Sequence, residues 1–79
     1  MKNQQNEQSR VAIREIQIEK IEGDLVDLHG YHQTLIVFRF QGALVGQVWI
    51  PVNEGRISSA ELRSSAQAVA RHSSVSLFL

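Results

Sequence analysis

The chain has 79 residues, eight Lys plus Arg against eight Asp plus Glu, and no cysteine. That length holds one domain, too small for a deep enclosed active site. Without cysteine there is no disulfide, thiolate zinc site or cysteine nucleophile. Formal neutrality removes the basic footprint of nucleic-acid binding and the attraction to an anionic membrane surface.

No apolar run approaches the ~20 residues of a membrane helix, and the N-terminus has no apolar signal-peptide core. These features predict a soluble cytoplasmic domain. Residues 1–10 include Asn3, Gln4, Gln5, Asn6, Glu7, Gln8 and Ser9, with nothing to bury, and read as a disordered polar tail. A single small α+β domain is then expected over residues 11–79.

Residues 11–22 combine two phases. Ile16 and Ile18 alternate with Glu15, Gln17 and Glu19, whereas Val11 and Ile13 alternate in the opposite phase. One strand over residues 13–19, bulged near Arg14 and Glu15, accommodates both. Glu22, Gly23 and Asp24 read as a turn, residues 25–28 as a short extended piece, and residues 29–32 as a loop.

The most apolar part is a hairpin. Its arms run from Thr34 to Phe40 and from Leu44 to Val52, around Gln41, Gly42 and Ala43. A three-residue loop pairs Phe40 with Leu44, Phe38 with Gly46, Ile36 with Val48, and Thr34 with Ile50. Ile36, Phe38, Phe40, Leu44, Val48, Ile50 and Val52 then share one face; Leu35, Val37, Arg39, Val45, Gln47 and Trp49 share the other. Gly46 beneath Phe38 is a small residue covered by a ring. Pro51 lacks an N–H, which puts this strand at an edge or leaving the sheet.

Asn53, Glu54 and Gly55 read as a turn. Ser58, Ser59, Ala60 and Glu61 form a capping-box pattern that predicts a helix to about Arg71 or His72. Its apolar stripe, Leu62, Ala66 and Val69 beside Ala70, is thin and suits close packing on the hairpin's more apolar face. Ser73 and Ser74 break the pattern. Residues 75–79 are then either a short final strand or the cut edge of a longer chain. The expected architecture is β-β-β-α, with a three-stranded, mainly antiparallel sheet and one helix on one face.

Ile13-Arg14-Glu15-Ile16-Gln17-Ile18, then Gly30-Tyr31, then residues 35–48 and Ile50-Pro51-Val52 set up a family comparison. This order resembles a small N-terminal module of bacterial proteins that carry a family 2 (GT-A type) glycosyltransferase domain. The recurring pattern there is a strand, a Gly-Tyr loop, an apolar strand, a Gly-x-Pro-Leu-Gly turn, a second strand and a helix. Residues 13–72 are covered. The proline usual in that turn is Ala43 here, and no transferase motif maps onto the chain. The resemblance implies an accessory part that does not itself transfer sugar.

Asp24, Asp27, His29 and His32 are the candidate metal ligands. Carboxylate and imidazole are suitable donors for zinc or a similar ion, but the spacing matches no established site, and a solvated polar loop explains them as well. The many serines lack the Gly-x-Ser-x-Gly elbow of a hydrolase and suit capping and helix-surface roles. Arg39, Arg56, Arg63 and Arg71 suggest a basic stripe, which in a neutral chain reads as a solvated face.

Leu35, Val37, Val45 and Trp49 are the candidate interaction face. They lie opposite the helix, covered by another segment or left open to a partner. The expectation is a non-catalytic docking module without a cofactor, acting through a sheet face or edge. Its partner would be a protein: a neighbouring domain, a second copy or another chain, with a homodimer among the options. No nucleic acid or membrane insertion is expected. The rival reading is a small ligand- or metal-binding domain using the loop of residues 24–32.

Overall fold

A computed structural model describes the backbone of residues 10–78 and the side chains of residues 10–72. The expected polar tail thus lies almost wholly outside the described residues. Three strands, β1 (Val11–Gln17), β2 (Gln33–Phe40) and β3 (Ala43–Pro51), form one sheet in that order, and a helix, α1 (Ser59–Phe78), follows. The fold is α+β, as the hydrophobic patterning predicts. The sheet is mixed: β2 and β3 pair antiparallel across the hairpin, and β1 pairs parallel with β2.

β1 begins two residues earlier than expected and runs beside β2 without a bulge, from Val11 opposite Gln33 to Gln17 opposite Arg39. The change of phase at Val11 and Ile13 needs no bulge. Ala12 is buried and Ile16 packs on the core, while Val11 and Ile13 point to the other face. Ile18 leaves the strand in a 3₁₀ turn over Ile18–Lys20. Residues 18–32 return the chain to start β2 beside β1, a parallel crossover made without an α-helix.

The β2–β3 register agrees with the facing argument at Phe38–Gly46, Ile36–Val48 and Thr34–Ile50. The turn differs. Phe40 pairs with Ala43, so the loop is the two residues Gln41 and Gly42, both at positive φ (50° and 84°). That is the left-handed geometry of a type I′ turn, whose twist matches the flanking strands. A bulge then restores the register, with Leu44 opposite Arg39 and Gly46 opposite Phe38. A second tight turn follows at Glu54 and Gly55 (φ 55° and 77°), closed by two backbone hydrogen bonds between Asn53 and Arg56.

The core lies on one side of the sheet. Ile36 and Phe38 from β2, Ile50 from β3, Leu28 and Ile57 from the connections, and Leu62 from α1 are all but fully buried. Burying a side chain of this size contributes about 1.5–3 kcal/mol before chain entropy is counted, so these six are the main apolar driving force for folding. An antiparallel bridge between Leu25 and Ile57 draws the connection over the same face that α1 covers.

α1 starts as the capping-box reading predicts: the Glu61 amide donates to Ser58 Oγ at 3.1 Å. Leu62 and Ala66 are buried and Val69 is partly buried, so the thin stripe is the packed one. The helix does not stop at Ser73. It continues through Phe78, and residues 75–78 form no strand. Serine in a helix costs only about half a kcal/mol relative to alanine, and no Gly or Pro interrupts residues 59–78.

Candidate functional site

With β1 beside β2, the face away from α1 can be read row by row from the register. Ile13, Leu35 and Trp49 stand side by side, one from each strand. Glu15, Val37 and Gln47 form the next row, followed by Gln17, Arg39 and Leu44. The first row is apolar across the whole width of the sheet. Ile13 is 63% exposed and Trp49 51%, while Leu35 and Val37 in the central strand are half-buried by their neighbours.

Of the four residues proposed for this face, Leu35, Val37 and Trp49 are on it. Val45 is not. It is the extra residue of the bulge and packs against the core cluster. Leu44 takes the opposite course. Assigned by simple alternation to the helix side, it pairs with Arg39 and is 61% exposed. The cause is the two-residue turn followed by one extra residue, which exchanges the facing of Leu44 and Val45 while leaving Gly46 onward in phase.

Ile13 and Val11 belong to the face, although neither was among its candidates. Their opposite phase was the available signal. It acquires meaning only once β1 is known to lie beside β2, in a register that aligns Ile13 with Leu35.

The charges on this face are paired. Arg39 Nε donates to Glu15 Oε2 at 2.6 Å, and Arg39 also donates to the Gly42 carbonyl at 3.1 Å. Both partners are partly exposed, so the ion pair itself adds at most about 1 kcal/mol. Its effect is to fix position: Arg39 joins Glu15 of β1 to the tip of the hairpin. Glu19 accepts the Gln41 amide at 3.0 Å and Gln17 accepts the Gly42 amide at 3.4 Å. The two peptide groups turned outward by the positive-φ geometry are thus satisfied by side chains from the other edge of the sheet.

The loop of residues 24–32 puts its candidate ligands to separate uses. Asp24 Oδ1 accepts the Ser59 amide at 2.8 Å and caps α1, placing a carboxylate at the positive end of the helix. Asp27 pairs with Arg14 at 3.3 Å. The His29 ring lies over Gly55, and the backbone of His32 bonds to the Arg10 carbonyl and the Val52 amide. Among the described residues, no group of three or more His, Asp or Glu side chains is placed to hold a metal ion.

Arg39, Arg56 and Arg63 are put to separate uses as well. Arg39 lies on the open sheet face, Arg56 sits in the second tight turn, and Arg63 donates to the Ile21 carbonyl at 3.2 Å. A depression of about 360 Å³ lies between the end of β1, residues 20–25 and Leu62. Asp24, in its wall, is the residue that caps α1.

The geometry defines a small α+β domain in which a three-stranded sheet is covered on one side by a helix and a loop. Its other side is an apolar row bordered by a neutralised ion pair. No family model, curated protein or solved structure matches the chain. No helix among the described residues is long and apolar enough to cross a membrane.

Proposed function

We propose that the domain is a docking module, with the sheet face opposite α1 as its binding surface. The observation that carries this reading is the row Ile13–Leu35–Trp49. Two large apolar side chains more than half exposed flank a third across the full width of a regular sheet. Scattered apolar residues on a surface are ordinary, but a contiguous row with a tryptophan at one end has the composition of a binding surface. Strand pairing holds the row rigid, so little ordering entropy is lost when a partner covers it.

The hairpin resemblance suggests a glycosyltransferase-type protein as the setting. None of the comparisons links the chain to such proteins, and the proposal rests on the face alone. The rival reading, a metal or ligand site in residues 24–32, loses support because Asp24 and Asp27 are engaged in capping and pairing.

Paired substitution at the two exposed ends of the row tests the reading. Ile13→Thr with Trp49→Thr keeps strand-favouring residues while removing the apolar surface. If the face is kept for a partner, the double variant unfolds within about 1 kcal/mol of the parent in urea. A loss of more than about 2 kcal/mol means the row is packed within the monomer, and the proposal fails.

A further inference from the structure

We infer that the partner of this face is a second copy of the same chain, docked sheet on sheet. This inference rests on the reading of the face as a docking surface. The argument has three parts: symmetry of the row, charge and area.

The apolar row is close to symmetric about its centre. β2 is the middle strand, so Leu35 lies between Ile13 on one side and Trp49 on the other. A two-fold axis running along β2 between two facing sheets therefore sets Ile13 of one copy against Trp49 of the other, in both directions at once. The same axis sets Leu35 on Leu35 and, one row further, Val37 on Val37. Every large side chain of the row meets an apolar counterpart, the self-complementarity an isologous interface requires.

Charge points the same way. The face holds one acidic and one basic side chain, Glu15 and Arg39, already joined at 2.6 Å. Among the described residues it presents no net excess of either sign, so it has no feature that selects an oppositely charged partner and carries no net charge to repel a copy of itself. Arg39 lies two rows from Leu35, toward the hairpin tip. The same axis brings Arg39 opposite Arg39, each already neutralised by its own Glu15. Inclining β2 by about 15° to the axis, the usual crossing of about 30° between packed sheets, moves the two guanidinium groups apart.

Area sets the strength. Three strands about 4.8 Å apart, seven residues long at about 3.3 Å each, give a flat footprint of roughly 14 by 23 Å. That is near 300 Å², well below the roughly 800 Å² per partner of a standard interface. The dimer is therefore weak and exchanging, with a Kd on the order of 10 μM to 1 mM.

Sedimentation equilibrium of the full chain from about 5 μM to 2 mM reads this range directly. The expected result is a monomer at the lowest concentration and a reversible rise toward the dimer mass at the highest. Ile13→Glu and Trp49→Lys should each weaken the dimer at least tenfold. An equimolar mixture of these two single variants should recover association as a heterodimer, because the axis places position 13 against position 49. A parent that stays monomeric to 2 mM overturns the inference. So does a dimer indifferent to both substitutions, or one that the mixture does not restore. If the parent stays monomeric while the Ile13→Thr/Trp49→Thr variant is as stable as the parent, only the self-docking partner is lost and the open face stands. If that variant is severely destabilised, the reading beneath falls as well.

Discussion

Thr34 offers the sharpest test of the core. It lies in the middle strand, in a row with Ala12 on β1 and Ile50 on β3, and is fully buried. Its Oγ1 has no hydrogen-bond partner among the described residues. Thr34→Val replaces that hydroxyl by a methyl group of nearly the same size and keeps the β-branched shape the strand favours. A buried, unsatisfied hydroxyl costs about 1–3 kcal/mol. The extra methyl volume in a close-packed site takes back part of that gain, leaving a net stabilisation of about 1 kcal/mol. In a domain of this size, that raises Tm by roughly 4–8 °C. Thr34→Ser, which keeps the hydroxyl and removes the methyl, should lower stability by about 1 kcal/mol. Urea and thermal unfolding followed by far-ultraviolet circular dichroism give both values. The order Val above Thr above Ser supports the reasoning. A Val variant less stable than the parent by 1 kcal/mol or more refutes it, because the hydroxyl must then have a partner whose loss outweighs its burial.

Gly55→Ala is expected to be among the most damaging single-methyl changes: φ is +77° and the new Cβ would lie 2.8 Å from the His29 ring. The cost should be about 1–3 kcal/mol in chemical denaturation. Pairing it with His29→Ala should recover the steric part and leave the backbone part. Gln41→Asn puts a residue that tolerates left-handed φ into the hairpin turn and should stabilise by about 0.5 kcal/mol, read as a shift in the urea midpoint. Ser58→Ala and Asp24→Ala each remove one acceptor from the first turn of α1. Each should cost about 1 kcal/mol, with loss of helical signal if both are made together. Zinc added in excess should leave Tm unchanged and the amide resonances of His29 and His32 in place. A stabilising shift with saturable changes there would reinstate the loop of residues 24–32 as a ligand site.

Patterning alone carried the hairpin well past its existence. The demand that Ile36, Phe38, Val48 and Ile50 share a face set the register of the Thr34–Ile50, Ile36–Val48 and Phe38–Gly46 pairs, because a one-residue slip would put the apolar residues of the two arms on opposite faces. Helix start and stripe were equally legible, since Ser58 and the spacing of Leu62, Ala66 and Val69 act locally. The turn was not. Gln41 at positive φ is an uncommon choice beside the usual Asn-Gly, and a bulge leaves no mark of its own in composition. That single extra residue misplaced Val45 and Leu44, and with them one member of the candidate site. The direction of β1 was illegible for another reason. A parallel return normally carries a helix between its strands, and residues 18–32 show none. Knowing that β1 lies beside β2 brings Ile13 into the row and makes a half-described patch a complete one.

The account turns on whether Trp49, the only tryptophan in the chain, stands on an open face. Iodide quenching of its fluorescence at low micromolar concentration measures that directly. With Trp49 about half exposed, the structure predicts quenching between that of a buried and that of a free indole, decreasing as concentration rises and copies cover one another. A Trp49 shielded from iodide at every dilution would mean that the row is closed within the monomer, contradicting both the docking surface and the partner inferred for it.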